Sequence, residues 1–261
     1  MARFQRGGSD VSVLTAASQG HLAYLEEAYV SLRRERDIEW EWVIQLDGWL
    51  RPEAILASVR ADPRVTVEAN ACHLGAATTR NRALTRCRAD LVQNLDADDV
   101  LLLGSLRCAA DVLKADPGLA FTFGRTADLM PDGRVVHKWD AAVPFAPGRI
   151  EAGELDNYWL SVGHDPIPIS PLMWRKVRIY EAGGWSALSS LEDASLMYAV
   201  ASRWPCYYID RETQLWRVHK DQVTQSEAFR SDAGVNRSFM YQRIMALRQA
   251  EARLADSGAV D

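Results

Sequence analysis

The feature that most restricts the fold is an acidic cluster set between two apolar segments. Asp96-Ala97-Asp98-Asp99 closes a short, largely apolar run, Leu91-Val92-Gln93-Asn94-Leu95, and residues 100–103 continue at once as a second apolar run. Acidic groups at the end of a buried strand are costly unless positive charge neutralises them. Hard cations such as Mg²⁺ and Mn²⁺ select carboxylate oxygens, so a divalent metal is the favoured partner. The cluster therefore indicates an enzyme that acts on a nucleotide or another diphosphate.

Composition excludes several other classes of protein. The chain has 261 residues, a net charge of -5 and a pI near 5.6. Bulk charge therefore gives no basis for binding nucleic acid or an anionic membrane. No apolar run approaches the ~20 residues of a membrane span, and the first residues lack the apolar core of a signal peptide. We therefore expect a cytoplasmic protein without an integral membrane segment. Its four cysteines form no Cys-x-x-Cys pair, which disfavours a zinc site or a disulfide framework.

Strand and helix patterns alternate through the first half of the chain. Strands are predicted at residues 11–14, 40–46, 65–67 and 91–95. Helices are predicted at residues 22–32, 52–59, 76–87 and 105–113, with Ser18 as the N-cap of the first and Pro52 in the first turn of the second. This alternation predicts an α/β fold with a mostly parallel, doubly wound sheet.

The second half is less regular. Strands are predicted at residues 119–123 and 134–139, and a helix at 193–202. The stretch 140–171 is rich in proline and lacks periodicity, so we expect functional loops there. Residues 235–254 form an amphipathic helix that could pack on the body of the protein or on a neighbour, which leaves the oligomeric state open.

Polar residues follow three predicted strands where each ends. Thr15 follows the first strand, Asp47-Gly48 the second, and the cluster at residues 96–99 the fourth. Ligands of open α/β sheets bind beyond the carboxyl ends of the strands, where the strand order reverses. The three strand ends therefore predict one pocket.

Several segments occur in the order and spacing seen in one known family. They are Val11-Ser12-Val13-Leu14-Thr15, Leu25-Glu26-Glu27-Ala28, Asp47-Gly48, Gly75-Ala76-Ala77-x-x-Arg80-Asn81, Leu95-Asp96-Ala97-Asp98-Asp99, Gly183-Gly184-Trp185 with Glu192-Asp193, and Trp216-Arg217-x-His219. Together they resemble the family 2 glycosyltransferases, over about residues 11 to 226. Each motif alone is weak, but their common order is a strong indication.

The resemblance implies a fold and a reaction. The fold is GT-A, a Rossmann-like, mostly parallel sheet flanked by helices, here with a C-terminal helical tail. Residues 1–103 would bind the nucleotide sugar, 104–226 would bind the acceptor and carry catalysis, and 227–261 would form the tail. The reaction is the Mg²⁺- or Mn²⁺-dependent, inverting transfer of a hexosyl or N-acetylhexosaminyl group. The donor would be a nucleotide sugar, with UDP favoured, and the acceptor a hydroxyl or amine in natural-product, capsule or cell-envelope glycosylation.

The resemblance also assigns binding residues. The nucleotide would contact Thr15, Ala16, Asp47, Arg80, Asp96 and Ala97, with the Asp47 carboxylate accepting the imide N–H of uracil. The metal would be held by Asp96, Asp98 and His219. Two alternatives stay open: Arg80 supports the diphosphate or pairs with the acidic cluster, and Asp99 is a metal ligand or a supporting partner.

Catalysis is assigned to the later motif. Asp193 would be the general base that takes the proton of the acceptor, and Glu192 would orient the site or the acceptor. Trp185 and Trp216 are predicted to bind the acceptor by stacking on a sugar face. Each assignment also has a structural alternative. Acidic residues such as Glu192-Asp193 are favoured at helix N-termini whether or not they are catalytic, and a single histidine such as His219 carries little information about function. His21 is interpreted as structural.

The chain departs from the family pattern on the nucleotide side. Thr15 is followed by Ala16-Ala17-Ser18, where the family has a proline and an aromatic-Asn pair, and Gly48 follows Asp47 where a second aspartate is common. These changes make uridine recognition less secure and leave room for a degenerate nucleotide-binding or scaffold protein. A sugar-1-phosphate nucleotidyltransferase is a weaker alternative, because the glycine-rich, basic loop that it needs after the first strand is absent.

Overall fold

The computed structural model describes residues 9–48, 51–137, 143–165, 167, 169–220, 222 and 227–257. Its strands are β1 Val11–Ala17, β2 Trp40–Leu46, β3 Val65–Ala69, β4 Leu91–Asn94, β5 Val100–Leu101, β6 Phe121–Leu129, β7 Val135–Val136, β8 Gly148–Ile150, β9 Leu172–Arg175 and β10 Cys206–Arg217. Its helices are α1 Leu25–Arg34, α2 Ala57–Arg60, α3 Ala76–Leu84, α4 Ser105–Ala115, α5 Glu154–Val162, α6 Lys176–Glu181, α7 Glu192–Ala201 and α8 Glu227–Ser257.

All of these strands join one twisted sheet in the order β3-β2-β1-β4-β9-β6-β10-β5, with β7 on β6 and β8 on β10. The ladders β3-β2-β1-β4 and β6-β10 are parallel, and β9 lies antiparallel between β4 and β6. The chain winds outward from β1 to β3 and then returns to place β4 on the other side of β1. Strand order therefore reverses between β1 and β4, which is where a ligand crevice forms in such sheets.

The core occupies both faces of the sheet. One hydrophobic cluster includes Leu14 and Val43 with α7, and the other includes Val13 and Trp42 with α1 and α4. Every residue of β2 is buried, including Glu41, whose carboxylate accepts hydrogen bonds from Ser12 and Arg88. A central strand of a parallel sheet is covered on both faces by helices, so its polar positions need partners inside the protein.

Most predicted elements are present, with local differences. Ser18 precedes only a short 3₁₀ turn, and α1 begins later, at Leu25. The helix predicted at 52–59 is divided into a 3₁₀ turn, Pro52–Ala54, and the one-turn α2. The stretch predicted to be loops contains β8 and the nine-residue α5. Of the strand predicted at 134–139, only β7 forms, and residues 138 and 139 lie outside the described residues.

The predicted amphipathic tail helix docks on the body of the same chain. Met240 and Ile244 are buried in the cluster that contains α7, as their helical spacing indicated. Arg203 pairs with Glu251 at 2.7 Å, and Arg248 pairs with the buried Asp156. None of the helices in the described part of the chain combines the length and hydropathy that a bilayer span requires.

A glycine turn fixes the loop between α6 and α7 against α3. The side chain of Asn81 donates to the carbonyl of Trp185 at 2.9 Å and accepts from its N–H at 3.0 Å. Gly184 lies beside this contact with φ +73°, and a Cβ there would lie 2.5 Å from the Asn81 Oδ1 atom. Glycine is therefore required both by the left-handed backbone and by the close approach of Asn81.

Gly184→Ala should destabilise the protein more than Gly163→Ala. Both glycines have φ +73°, but a Cβ at Gly163 would meet nothing within 4 Å, so the two variants share the backbone strain and differ in the collision with Asn81. We expect Gly184→Ala to cost about 1–3 kcal/mol more in unfolding free energy, because it also disturbs two hydrogen bonds. Urea denaturation of both variants measures the difference, and equal losses would contradict the steric role of Asn81.

Candidate active site

One buried arginine joins three carboxylates at the carboxyl end of the sheet. Arg80, on α3, donates to Asp96 at 2.8 Å and to Glu192 at 2.6 Å, and it pairs with Asp193 at 3.1 Å. Its side chain is only 8% exposed. Asp96 follows β4, whereas Glu192 and Asp193 form the first turn of α7. Arg80 therefore brings together two motifs that lie almost a hundred residues apart in the sequence.

The electrostatics of this cluster are dominated by Arg80. Burial alone would lower the pKa of Arg80, but Asp193, Asp96 and Glu192 together raise it well above the usual value for arginine. The guanidinium thus stays charged and offsets part of the negative charge at the strand end. Of the two roles left open for Arg80, the structure shows the pairing with the acidic cluster.

Asp193 has the properties of a proton acceptor. Burial raises the pKa of its carboxyl group to about 7, with Glu192 and Asp96 adding to the rise and Arg80 opposing it. The indole N–H of Trp185 donates to Asp193 Oδ1 at 2.7 Å. A carboxylate with a pKa near the working pH, fixed by two donors, is suited to general base catalysis. Leu191, directly before α7, holds φ +63°, an uncommon conformation for a bulky residue.

Trp185 does not have the position predicted for an acceptor-binding residue. Its side chain is buried, with 2% exposure, and its indole edge is used on Asp193. A buried ring offers no face on which a sugar could stack, so this arrangement does not support the assignment, and the indole N–H instead holds the Asp193 carboxylate. Trp216 is half-buried near the end of β10, and its role in acceptor binding stays a prediction.

A second group of side chains forms around Asp98. Asp98 Oδ2 lies 2.9 Å from His219 Nε2, and His219 follows β10. His21, in the 3₁₀ turn after β1, places its ring centroid 6.1 Å from that of His219. One possible ligand atom from each of the three residues lies within 4.8 Å of the others, which makes them a candidate metal site in the described part of the chain. Sequence patterns gave no reason to select His21.

The other aspartates of the acidic cluster are used differently. Asp96 is held by Arg80 and is not one of the three residues of the candidate metal site, so this arrangement does not support its predicted role as a metal ligand. Asp99 is 1% exposed and accepts hydrogen bonds from Ser170, from Gln214 and from the backbone N–H of Arg217. Burial, with Asp96 and Asp98 nearby, raises the pKa of Asp99 well above its usual value. Asp99 thus anchors the end of β10 and supports the site.

On the nucleotide side, two predicted contacts are occupied by the protein itself. The Thr15 hydroxyl is buried, donates to the carbonyl of Leu95 at 2.7 Å and accepts from the indole N–H of Trp42 at 2.8 Å. It therefore links β1 to β2 and to the residue that follows β4. Ala16 is half-buried beside it, and Ala97 is buried in the core.

Donors from the same chain fill all the hydrogen-bonding positions of the Asp47 carboxylate. Its two oxygens accept from the backbone N–H groups of Leu74 and Gly75, from the side-chain amide of Asn70 and from the ring of His73. A carboxylate has about four lone-pair positions, and four donors fill them. The arrangement does not support the predicted acceptance of a uracil imide N–H by Asp47, because no position is free. The carboxylate instead holds residues 70–75 at the start of α3.

Arg80→Ala should destabilise the protein strongly. It would leave Asp96, Glu192 and Asp193 without their shared cation, and breaking a largely buried ion pair from one side typically costs about 3–5 kcal/mol. We expect a loss of about 3 kcal/mol in chemical denaturation, since the carboxylates are partly solvated. Arg82→Ala, at an exposed position on the same helix, is the control and should lose under about 1 kcal/mol. Equal losses in the two variants would contradict the central role of Arg80.

Comparison with known proteins adds to this geometry. Residues 12–177 match the model of the family described as glycosyl transferase family 2. The comparison with curated proteins found no match. The chain is similar to the solved structure of S. aureus TarS 1-349, with 16% identity and a TM-score of 0.63 over 80% of this chain and 60% of that one.

Two ligand complexes of the same S. aureus protein are also similar. The complex of TarS 1-349 with UDP-GlcNAc has 16% identity and a TM-score of 0.66, and covers 83% of this chain and 61% of that one. The complex with UDP has 17% identity and a TM-score of 0.64, and covers 91% and 65%. This chain thus spans less than two thirds of these TarS chains. At such identity the likeness shows the fold, and it confirms the predicted α/β fold of GT-A type.

Proposed function

The chain belongs to glycosyl transferase family 2, and from that premise we propose that it transfers a sugar, with inversion, from a nucleoside-diphosphate sugar to a hydroxyl or amine acceptor. The observation that carries this proposal is Asp193, a carboxylate with a pKa of about 7 that Arg80 and Trp185 hold at the carboxyl end of the sheet. Family membership argues against a sugar-1-phosphate nucleotidyltransferase. An Asp193 carboxyl group whose pKa is raised to about 7 argues against a scaffold protein that has lost its catalytic activity.

The proposed donor is a UDP-sugar. The support is the fold shared with S. aureus TarS 1-349, whose solved complexes contain UDP-GlcNAc and UDP. The strand order reverses between β1 and β4, and the acidic residues that follow β4 lie at this point. Because Asp47 and the Thr15 hydroxyl are occupied, we propose that backbone groups near Ala16 contribute more to base recognition than these two side chains do.

The residues proposed to hold the divalent metal are Asp98 and His219. Two neighbouring ligands of one cation lie roughly 3 Å apart at usual bond lengths, which fits their separation of 2.9 Å. Among the described residues, the buried Nδ1 atom of His219 has no hydrogen-bond partner, so the ring is held through Nε2 alone and not through both nitrogens. When bound, Mn²⁺ or Mg²⁺ would supply positive charge beside the leaving diphosphate.

Side chains of the protein itself perform the proton transfer of the proposed reaction. An acceptor hydroxyl that attacks the anomeric carbon must lose its proton, and Asp193 is the proposed base. Trp185 and Arg80 hold the two Asp193 oxygens, so the carboxylate meets the acceptor in a fixed orientation. Glu192 binds the other side of Arg80 and orients it. We propose a single displacement, which inverts the anomeric centre, with Asp193 taking the proton of the attacking acceptor.

The setting of the reaction stays a prediction. Natural-product, capsule or cell-envelope glycosylation, a cytoplasmic location and a division of the chain at residues 103 and 226 are kept as predictions. The sheet is continuous across that first boundary, because β4 pairs with β9 and β5 with β10.

Replacing Asp193 by Asn tests the proposal directly. Asn keeps the shape of the side chain but takes no proton, so turnover of the best UDP-sugar and acceptor pair should fall by about 10²–10⁴ while donor affinity is retained. A panel of nucleotide sugars and acceptors, followed by release of the nucleoside diphosphate, measures this. Asp111→Asn, at an exposed position on α4, is the matched control. Wild-type protein that binds a donor yet turns over no pair would favour the scaffold alternative.

The pH dependence of transfer should report on Asp193. The base works only when deprotonated, so the rate should rise as the pH increases through about 7 and fall below it. The Trp185 N–H stabilises the charged carboxylate and lowers its pKa. Trp185→Phe should therefore move the acidic limb of the kcat profile to higher pH and lower the plateau. An unshifted limb in a folded Trp185→Phe variant would contradict the positioning role of Trp185.

A further inference from the structure

We propose that His21 is a third protein ligand of the metal and that His21, Asp98 and His219 form a site that selects transition-metal cations, with Mn²⁺ as the probe, over Mg²⁺. The inference extends the proposed function, on which its use in catalysis rests. Its basis is the placement of the three side chains, one ligand atom of each lying within 4.8 Å of the others.

Three separate parts of the fold bring these residues together. His21 lies in the turn after β1, Asp98 in the loop after β4, and His219 after β10. β1 and β4 are parallel neighbours, so their carboxyl ends lie side by side. The end of β10 is tied to the same loop, since the Arg217 side chain donates to the carbonyl of Asp98 at 2.8 Å and its backbone N–H donates to Asp99.

The spacing suits a single cation. Ligands on opposite sides of an ion with bond lengths of 2.1–2.3 Å lie roughly 4.2–4.6 Å apart, and neighbouring ligands roughly 3 Å apart. The three ligand atoms lie within 4.8 Å of one another, so small side-chain rotations bring them to one ion. The Ser18 hydroxyl lies 3.3 Å from His21 Nδ1, where it can fix the tautomer that leaves Nε2 free for the cation.

Neighbouring charges favour a cation at this place. Asp98 supplies a carboxylate that lies 2.9 Å from the His219 ring. Arg217 is a positive group nearby, and it is paired with Glu27 and stacked at 4.8 Å on the ring of Tyr24. The ring of Tyr24 also contacts His219, with 5.3 Å between the centroids, and so holds the imidazole in place.

The donor set decides which cation is preferred. Mg²⁺ strongly prefers oxygen ligands and keeps much of its water, whereas imidazole nitrogen suits first-row transition metals. Two imidazoles and one carboxylate therefore disfavour Mg²⁺ more than the set inferred from the sequence, Asp96, Asp98 and His219, which has two carboxylates and one imidazole. Three protein ligands also leave open positions, which the oxygens of a diphosphate can occupy.

Metal binding without any nucleotide tests the inference. Metal-free wild-type protein is titrated with Mn²⁺ by calorimetry and by electron paramagnetic resonance, and nitrogen couplings count the bound imidazoles. We expect two imidazole nitrogens in wild type, one in His21→Ala, and at least a tenfold loss of Mn²⁺ affinity in that variant. His164→Ala, at an exposed histidine, is the control and should bind Mn²⁺ as wild type does. Wild-type affinity or two couplings in folded His21→Ala would overturn the inference.

Competition by Mg²⁺ tests the selectivity. A hundredfold excess of Mg²⁺ should leave Mn²⁺ bound to wild type and should displace it from His21→Asp, in which the nitrogen donor is replaced by oxygen. Displacement from wild type by an equal concentration of Mg²⁺ would overturn the claim of selectivity. These assays contain no donor, so an absence of glycosyl transfer alongside intact Mn²⁺ binding would reject the proposed function alone. Normal transfer with unchanged Mn²⁺ binding in His21→Ala would reject this inference alone.

Discussion

The ion-pair cluster around Arg80 is the interaction on which the rest of the site depends. One guanidinium from α3 contacts the carboxylate that ends β4 and both carboxylates that begin α7. Without it, three acidic groups at one strand end would repel one another in a partly desolvated place. The next residue, Asn81, fixes the backbone of Trp185, and Trp185 in turn holds Asp193. The helix α3 therefore positions the proposed base, through Arg80 directly and through Asn81 by way of Trp185.

The acidic segment after β4 divides its tasks among its three aspartates. Asp96 faces Arg80, Asp98 faces His219, and Asp99 is buried against β10. Since each points to a different element, the segment joins the proposed catalytic centre, the candidate metal site and the far half of the sheet. A guanidinium balances the charge of Asp96, and an imidazole with its proposed cation balances that of Asp98, whereas burial raises the pKa of Asp99 and favours its neutral form. This division explains how such a cluster is tolerated beside two apolar runs.

The fold followed from the sequence because strand and helix patterns are local, and the proposed base followed from the resemblance of the ordered motifs to the family. Strand and helix periodicities reveal β1 to β4 and the helices between them, and the order of motifs selected Asp98, Asp193 and His219. What the sequence did not reveal depends on long-range packing. The saturation of Asp47 by residues 70–75, the burial of Trp185 and the approach of His21 to His219 arise only when distant segments meet. The helix α5 was not predicted because it has only nine residues, and the proline-rich residues around it obscure the helical pattern of so short a segment.

The most direct test of the account is calorimetric titration of UDP, GDP and dTDP into the purified protein, each with and without Mn²⁺. Binding should depend on the metal, because the site combines a candidate metal centre with a crevice of GT-A type, and it should be strongest for UDP, the nucleotide of the proposed donor. Absence of binding by every diphosphate, with or without Mn²⁺, would contradict it and would identify the chain as a member of the family that has kept the fold without its chemistry.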